Sequence, residues 1–274
     1  MENENISIWY QSTLDFSQHP NYERVLRTHA NALSSTDTRV NVHGWSPEAN
    51  NNLTVEDFTG SPVAYHSMIA PLFIEALLQA EAEGCDAFIA GSFSEPILNE
   101  LRSLARIPVV SMPESTYLAG AMSAHKIGFV TINDATKPQL EKSMMLHDWG
   151  PRRISGFHVL TTPVTEFDLD GVLEAPGRYL DVLVEGFRTA IKQGAEVVVP
   201  AEGMLGLMAA INGLTEIDGI PIIDVVGTTV LVAELAVNLH RRTSLLQSRA
   251  AYPAPSDAAR RYIMAKASGT NFKA

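Results

Sequence analysis

One cysteine stands among 274 residues. Cys85 therefore has no intramolecular disulfide partner, and the chain suits a reducing, cytoplasmic compartment. Metal-site patterns are missing too. The eight histidines form no HxH or HExxH pair and have no cysteine cluster beside them, which argues against a dedicated metal site. No GxGxxG follows a strand-like run and no GxxxxGKS or GxxxxGKT occurs, so nothing calls for NAD, flavin or ATP. Basic charge is scarce. Twenty Lys and Arg against 31 Asp and Glu leave a net charge of −11, whereas nucleic acids and anionic membranes demand a basic face. A small anionic substrate is not excluded, because backbone N–H groups hold such a ligand locally. Long hydrophobic runs are absent as well: the longest apolar stretch, 221–239, is broken by Asp224 and Glu234 and reads as strand plus helix, not as a membrane span. Residues 1–4 are acidic and polar, without the basic-then-apolar pattern of a secretory signal.

What the chain does have is core. With 46% apolar residues it can bury a substantial interior, which argues against global disorder. Short runs rich in Val and Ile alternate with helical stretches. Residues 6–10, 39–43, 87–90 and 107–112 read as strands of a first half, and 127–132, 153–160, 197–200 and 220–225 as strands of a second. Ser61-Pro62 reads as an N-cap with proline at N1, opening a helix that stops at Gly84. Ser256-Asp257 caps a last helix through Lys266, and 268–274 read as a loose tail. Strands alternating with helices predict an α/β fold with parallel sheets and right-handed crossovers. The expected division is a first lobe over 1–120, completed by a C-terminal helix packing back from about 230–274, and a second lobe over 121–229.

One segment occurs twice. Residues 84–92, continuing to Ile107-Pro108-Val109-Val110, match residues 194–202, continuing to Ile220-Pro221-Ile222-Ile223. Each copy reads as helix end, buried strand, short loop, helix and second buried strand. The repeat implies two similar lobes facing each other, with equivalent loops meeting across a cleft, and it sets Ser92 opposite Glu202. Ligands of such sheets bind beyond the carboxyl ends of the strands. Candidate positions there are Gln11, Ser12, Trp45, Ser92, Phe93, Ser94, Glu114, Thr131, Asn133, Thr162, Glu202, Gly203 and Thr228.

The runs at 84–96, 107–110, 127–131, 194–204 and 220–224 together resemble the aspartate/glutamate racemase superfamily, most closely its hydantoin-racemase-like branch. The resemblance covers roughly residues 6–242. It implies two pseudosymmetric lobes, no cofactor, a small-molecule substrate and a common tendency to form homo-oligomers. It also implies proton movement at a carbon next to a carboxylate or carbonyl, using one cysteine from each lobe. This chain departs at those two positions: Ser92 stands at the first and Glu202 at the second. Cys85 lies upstream of its strand, at the wrong end for catalysis. A two-thiol mechanism is therefore excluded on this alignment.

The replacements are chemically unequal. A glutamate is ordinarily ionised at neutral pH, and desolvation in a cleft would raise it toward the working range of a general base. A serine hydroxyl donates a hydrogen bond, or attacks when a base activates it. The leading reading is proton transfer, with Glu202 as base, and with Ser92 and backbone N–H groups near Ser94 and Thr228 binding the oxygen that becomes negative. Hydrolase or lyase chemistry on a small amide, cyclic imide or keto acid uses the same two residues, and a non-catalytic binding protein is a third reading. The substrate expected is a small carboxylate or cyclic carbonyl compound.

Each supporting residue has a structural alternative. Gln11 and Ser12 serve equally as a polar strand end, Thr131, Thr162 and Thr228 as helix caps, and Trp45 and Phe93 as packing. Glu114 serves equally as an acid at a positive helix end. His66, within the Ser61-capped helix, reads more readily as surface than as site.

Overall fold

The computed structural model describes residues 5–45, 61–132, 134, 136–147, 152–162 and 164–267. The cap candidate Asn133, the residues 1–4 read for a signal and the tail expected at 268–274 lie outside them. A first sheet joins β1 (Ile6–Asp15), β2 (Thr38–Trp45), β3 (Ala87–Gly91) and β4 (Val109–Ser111) in the order β2-β1-β3-β4, all parallel. A second sheet joins β5 (Ile127–Thr131), β6 (Ile154–Val159) and β7 (Val197–Pro200) in the order β6-β5-β7, again parallel. The strands are short and apolar because helices cover both faces of such sheets.

Side-chain parity divides the interior. Ile8 and Tyr10 of β1 and Ile89 of β3 join a core that both sheets share, with Phe129, Val130 and Val199. Trp9 and Phe88 point the other way, into a second cluster with Phe73, Leu77 and Leu101. That outer cluster is roofed by α2 (Pro62–Ala82) and α3 (Leu98–Leu104), and α10 (Asp257–Ala267) packs on α2. By length and composition α2 is apolar enough to cross a membrane, yet its Ile69, Phe73 and Leu77 are fully buried against the first sheet. The shared core is covered by α1 (Pro20–Leu33), α4 (Met112–Ser123) and α9 (Val225–Thr243), and α9 also packs on α8 (Gly203–Ile211). The second sheet carries α7 (Gly177–Lys192), whereas α6 (Glu166–Val172) packs on α8 and α1, and α5 (Lys137–Leu146) adds Leu140 to the shared core.

The predicted helix signals act as expected at both ends of α2. Ser61 Oγ accepts from the Ala64 N–H at 3.4 Å, Pro62 opens the helix, and Gly84 follows its end at φ 76°. Ser256 Oγ likewise accepts from Ala259 at the start of α10.

Two strand expectations change. First, β1 continues to Asp15, with a register shift against β2 between Gln11 and Asp15. Gln11 and Ser12 thus lie inside a strand, and Ser12 pairs with Gly91. Second, the run 220–225 is not a fourth parallel strand. Glu216–Ile217 (β8) and Ile220–Pro221 (β9) form an antiparallel hairpin across Asp218-Gly219, whose φ values of 52° and 77° are both left-handed. Such a two-residue turn matches the twist of paired strands. Pro221 supplies no N–H for a ladder, and parallel pairing shrinks to one bridge, Val198 with Ile222.

The helix that follows is capped by Asp224, whose Oδ1 accepts from Gly227 N–H at 2.9 Å while Oδ2 meets His29 Nε2 of α1 at 2.6 Å. Asp224→Ala removes both bonds at the helix that joins the lobes. The expected loss is about 1–2 kcal/mol, read as a lower urea midpoint with an unchanged slope.

Candidate active site

The carboxyl ends of β1, β3 and β7 converge on a cleft. Ser92 enters it directly after β3 and Glu202 two residues after the end of β7, one from each sheet. Ser12, Phe93, Ser94 and Gly203 also line it.

On the first-sheet side, the backbone must approach closely. A Cβ on Gly91 would meet Tyr10 Cε1 at 2.3 Å and the Gln11 carbonyl at 2.8 Å, so only glycine lets β3 end here. Beyond it, three hydroxyls form a chain. Tyr65, projecting from α2, bonds Ser94 Oγ, and Ser94 Oγ lies 2.8 Å from Ser92 Oγ. The Ser94 N–H also donates to Ser92 Oγ, at 3.3 Å. Burial pushes the Tyr65 phenol up to about 12; its hydrogen bonds with Ser94 and Ser92 pull it down, and the Glu202 carboxylate raises it. The phenol is neutral at physiological pH.

On the second-sheet side, Glu202 is the N-cap position of α8 and makes no side-chain cap bond of its own. Its Oε1 instead accepts from Thr131 Oγ1, the last residue of β5, at 3.2 Å. Thr131 is itself held 2.5 Å from Thr136 Oγ1. Burial pushes the Glu202 carboxyl up to about 7, and the hydrogen bond from Thr131 works against that shift. Desolvation wins because one neutral hydroxyl cannot replace the water a carboxylate loses. Gly203 gives room for the Tyr22 hydroxyl, 3.1 Å from where a Cβ would sit. Burial pushes Tyr22 up to about 12; bonds with Ser12 and Tyr10 lower it, and Glu202 raises it.

A buried carboxylate braces the serine loop. Glu95, at a left-handed φ of 48°, accepts from Ser143 Oγ at 2.7 Å, from His147 Nε2 at 2.7 Å and from the Ser111 hydroxyl. Ser111 ends β4, whereas Ser143 and His147 belong to α5 and its C-cap. The same helix brings Gln139 and Leu140 into the cleft.

Several expected residues lie elsewhere. Gln11 is buried in β1, accepting from Trp9 Nε1 and donating to the Ser12 and Gly44 carbonyls, so it satisfies the irregular strand rather than a ligand. Trp45 is buried in the outer cluster, on the far face of the first sheet. Glu114 pairs with Arg102 at the start of α4. Thr162 does not line the cleft, and Thr131 touches it only through Glu202 and Thr136. Thr228 is a first-turn residue of α9 whose N–H donates to the Asp224 carbonyl. It is therefore not available to an oxyanion, and the Ser94 N–H is engaged with Ser92. Cys85 sits before β3, at the opposite end of the strand from the cleft, and burial raises its thiol.

Tyr22 and Tyr65 are the main residues that motif reading missed. Tyr65 shares a helical stripe with Ile69 and Phe73, at spacings of four and eight, whereas its neighbour His66 is exposed. That stripe is the signal that distinguishes the two. Among the described residues, no three His, Cys, Asp or Glu side chains group to hold a metal ion.

The comparisons with known proteins agree with this geometry. The family model described as Asp/Glu/Hydantoin racemase matches residues 22–235. A hydantoin racemase from Pseudomonas sp. (strain NS671) is 30% identical over 178 residues, covering 65% of this chain and 69% of that protein. A hydantoin racemase from Rhizobium meliloti is 25% identical over 227 residues, covering 82% and 83%. Among solved structures, allantoin racemase from Klebsiella pneumoniae superposes with a TM-score of 0.72 at 18% identity, covering 92% of this chain and 95% of that one. The two-lobed, parallel-sheet architecture and the match across most of the sequence lead to one conclusion: the chain belongs to the Asp/Glu/hydantoin racemase family, and is an isomerase-type enzyme of that superfamily.

Proposed function

We propose that this protein moves a proton at the carbon next to a carbonyl of a small neutral cyclic ureide, a 5-substituted hydantoin, with Glu202 as the general base. One observation carries the reading: Glu202 is the only charged side chain among the described residues lining the cleft. A dicarboxylate would bring two negative charges beside it with no lysine or arginine in that lining to offset them. A neutral ring brings none, and Leu14, Ile132, Leu140 and Leu169 offer an apolar wall for its substituent.

In the reaction, the C–H bond breaks and its proton passes to the Glu202 carboxylate. The electron pair spreads onto the carbonyl, and the Ser92 hydroxyl donates a hydrogen bond to the electron-rich intermediate from the other lobe. The named relatives are racemases, which favours this proton transfer over the hydrolase and lyase alternatives.

The test is proton NMR in D₂O with one enantiomer of 5-isobutylhydantoin. Loss of the C5 proton signal, without a change in mass beyond deuterium, is the expected result. Its rate is expected to climb with pH and level off above about 7, where the Glu202 carboxyl has ionised. A rate that falls across that window would remove Glu202 as the base.

A further inference from the structure

Glu202 serves one face of the substrate carbon. Inversion needs a proton delivered to the other face, and no cysteine among the described residues lines the cleft to give it. The wall that Ser92 occupies holds a source. Ser92 Oγ accepts from the Ser94 N–H at 3.3 Å and lies 2.8 Å from Ser94 Oγ, and Ser94 Oγ is bonded in turn to the Tyr65 hydroxyl. A phenol is a stronger acid than an alcohol, so the favourable polarity of this chain runs from Tyr65 to Ser94 to Ser92. With Ser92 Oγ accepting from Ser94, its own hydrogen is left to point into the cleft.

We propose that the Tyr65–Ser94–Ser92 chain protonates the face of the substrate carbon turned away from Glu202, so that proton removal and inversion depend on different walls. This rests on Glu202 acting as the base. Ser92 then does more than hydrogen-bond the intermediate: its O–H bond breaks as the new C–H bond forms. Ser92 takes the proton of Ser94, and Ser94 takes that of Tyr65. Glu202 is left protonated and Tyr65 as phenolate, and the two return to their resting forms when Glu202 gives its proton to water and Tyr65 takes one back. The neutral, desolvated state of the Tyr65 phenol fits a donor at rest. Tyr65 bonds both Ser94 and Ser92 and reaches the carbon only through these hydroxyls; it is therefore a positioning residue, which supplies the chain's proton and sets its direction.

Two rates on one sample separate these roles. With a single enantiomer of 5-isobutylhydantoin in D₂O, NMR reads exchange at C5 and polarimetry reads inversion. In the wild-type protein the two rates are expected to agree within about threefold. Tyr65→Phe, which keeps the ring in place, is expected to slow inversion by about 100-fold while exchange falls by less than about threefold. Ser94→Ala, which removes the middle hydroxyl of the chain and keeps the tyrosine, is expected to repeat that split. Inversion in Tyr65→Phe within about threefold of wild type would overturn the proposal, and so would exchange and inversion falling together, because Tyr65 would then only shape the site. A wild-type protein that leaves the C5 proton untouched overturns the hydantoin reading itself, and this inference with it.

Discussion

Glu202→Gln is expected to lower exchange and inversion together by about 10³-fold, with the fold intact. Glutamine keeps the shape and still accepts the Thr131 hydrogen bond, but it cannot take a proton from carbon. The same substitution is expected to stabilise the protein above neutral pH. Because the folded value of the Glu202 carboxyl, about 7, lies above the ordinary 4.5, its contribution to stability is fully present below about 4.5 and is lost as pH rises through about 7. The full shift corresponds to about 3 kcal/mol, and water in the open cleft reduces it to about 1–2 kcal/mol. Urea denaturation at pH 4 and pH 8 checks the sign: the variant gains on the wild type at pH 8 and converges with it at pH 4. An inactive variant without that pH-dependent gain would mean that Glu202 is not a desolvated carboxyl in the folded protein.

The second large effect is on stability. Glu95→Ala is expected to cost about 3 kcal/mol, because it leaves the Ser143 and Ser111 hydroxyls and the His147 ring without their shared buried acceptor. It also frees the loop that carries Ser92 and Ser94, so turnover falls by about tenfold or more through misplacement of those hydroxyls. Glu95→Gly resolves the two terms at this position. Glycine relieves the left-handed φ of 48°, worth about 1 kcal/mol, yet restores no acceptor. The glycine variant is therefore expected to lie between alanine and wild type. A glycine variant as stable as the wild type would show that backbone conformation, and not the carboxylate, governs this loop.

Much of the fold was legible in the chain itself because the signals are local. Val and Ile runs marked seven strands to within a few residues, and Ser61-Pro62, Gly84 and Ser256 marked helix ends where backbone groups need partners. The duplicated segment also brought Ser92 and Glu202 to one cleft, since each follows an equivalent strand, and strands of parallel sheets present their carboxyl ends together. The misread strand at 220–225 fell to a local competitor, the Asp218-Gly219 turn, whose left-handed pair outweighed an apolar run.

The rest depended on tertiary structure. Gln11, Trp45 and Thr228 sit near strand ends or helix starts, as cleft residues should, yet each is turned or spent elsewhere: β1 runs five residues further than its apolar run, and α9 uses its own first-turn N–H groups. Tyr22 and Tyr65 lie 180 and 137 positions before Glu202 in the sequence, and only the packing of α1 and α2 brings them to it. Glu95 lies in the loop after β3, and its meeting with Ser143 and His147 across the lobes is likewise long-range. Sequence by itself thus determined which strands form the two parallel sheets and that Ser92 and Glu202 face the cleft, because those follow from local pattern and repetition. Burial of Glu202, the hydroxyl chain beside Ser92 and the brace beneath it were decided only when distant helices closed over the sheets, since desolvation and hydrogen-bond partnership belong to surroundings and not to residue type.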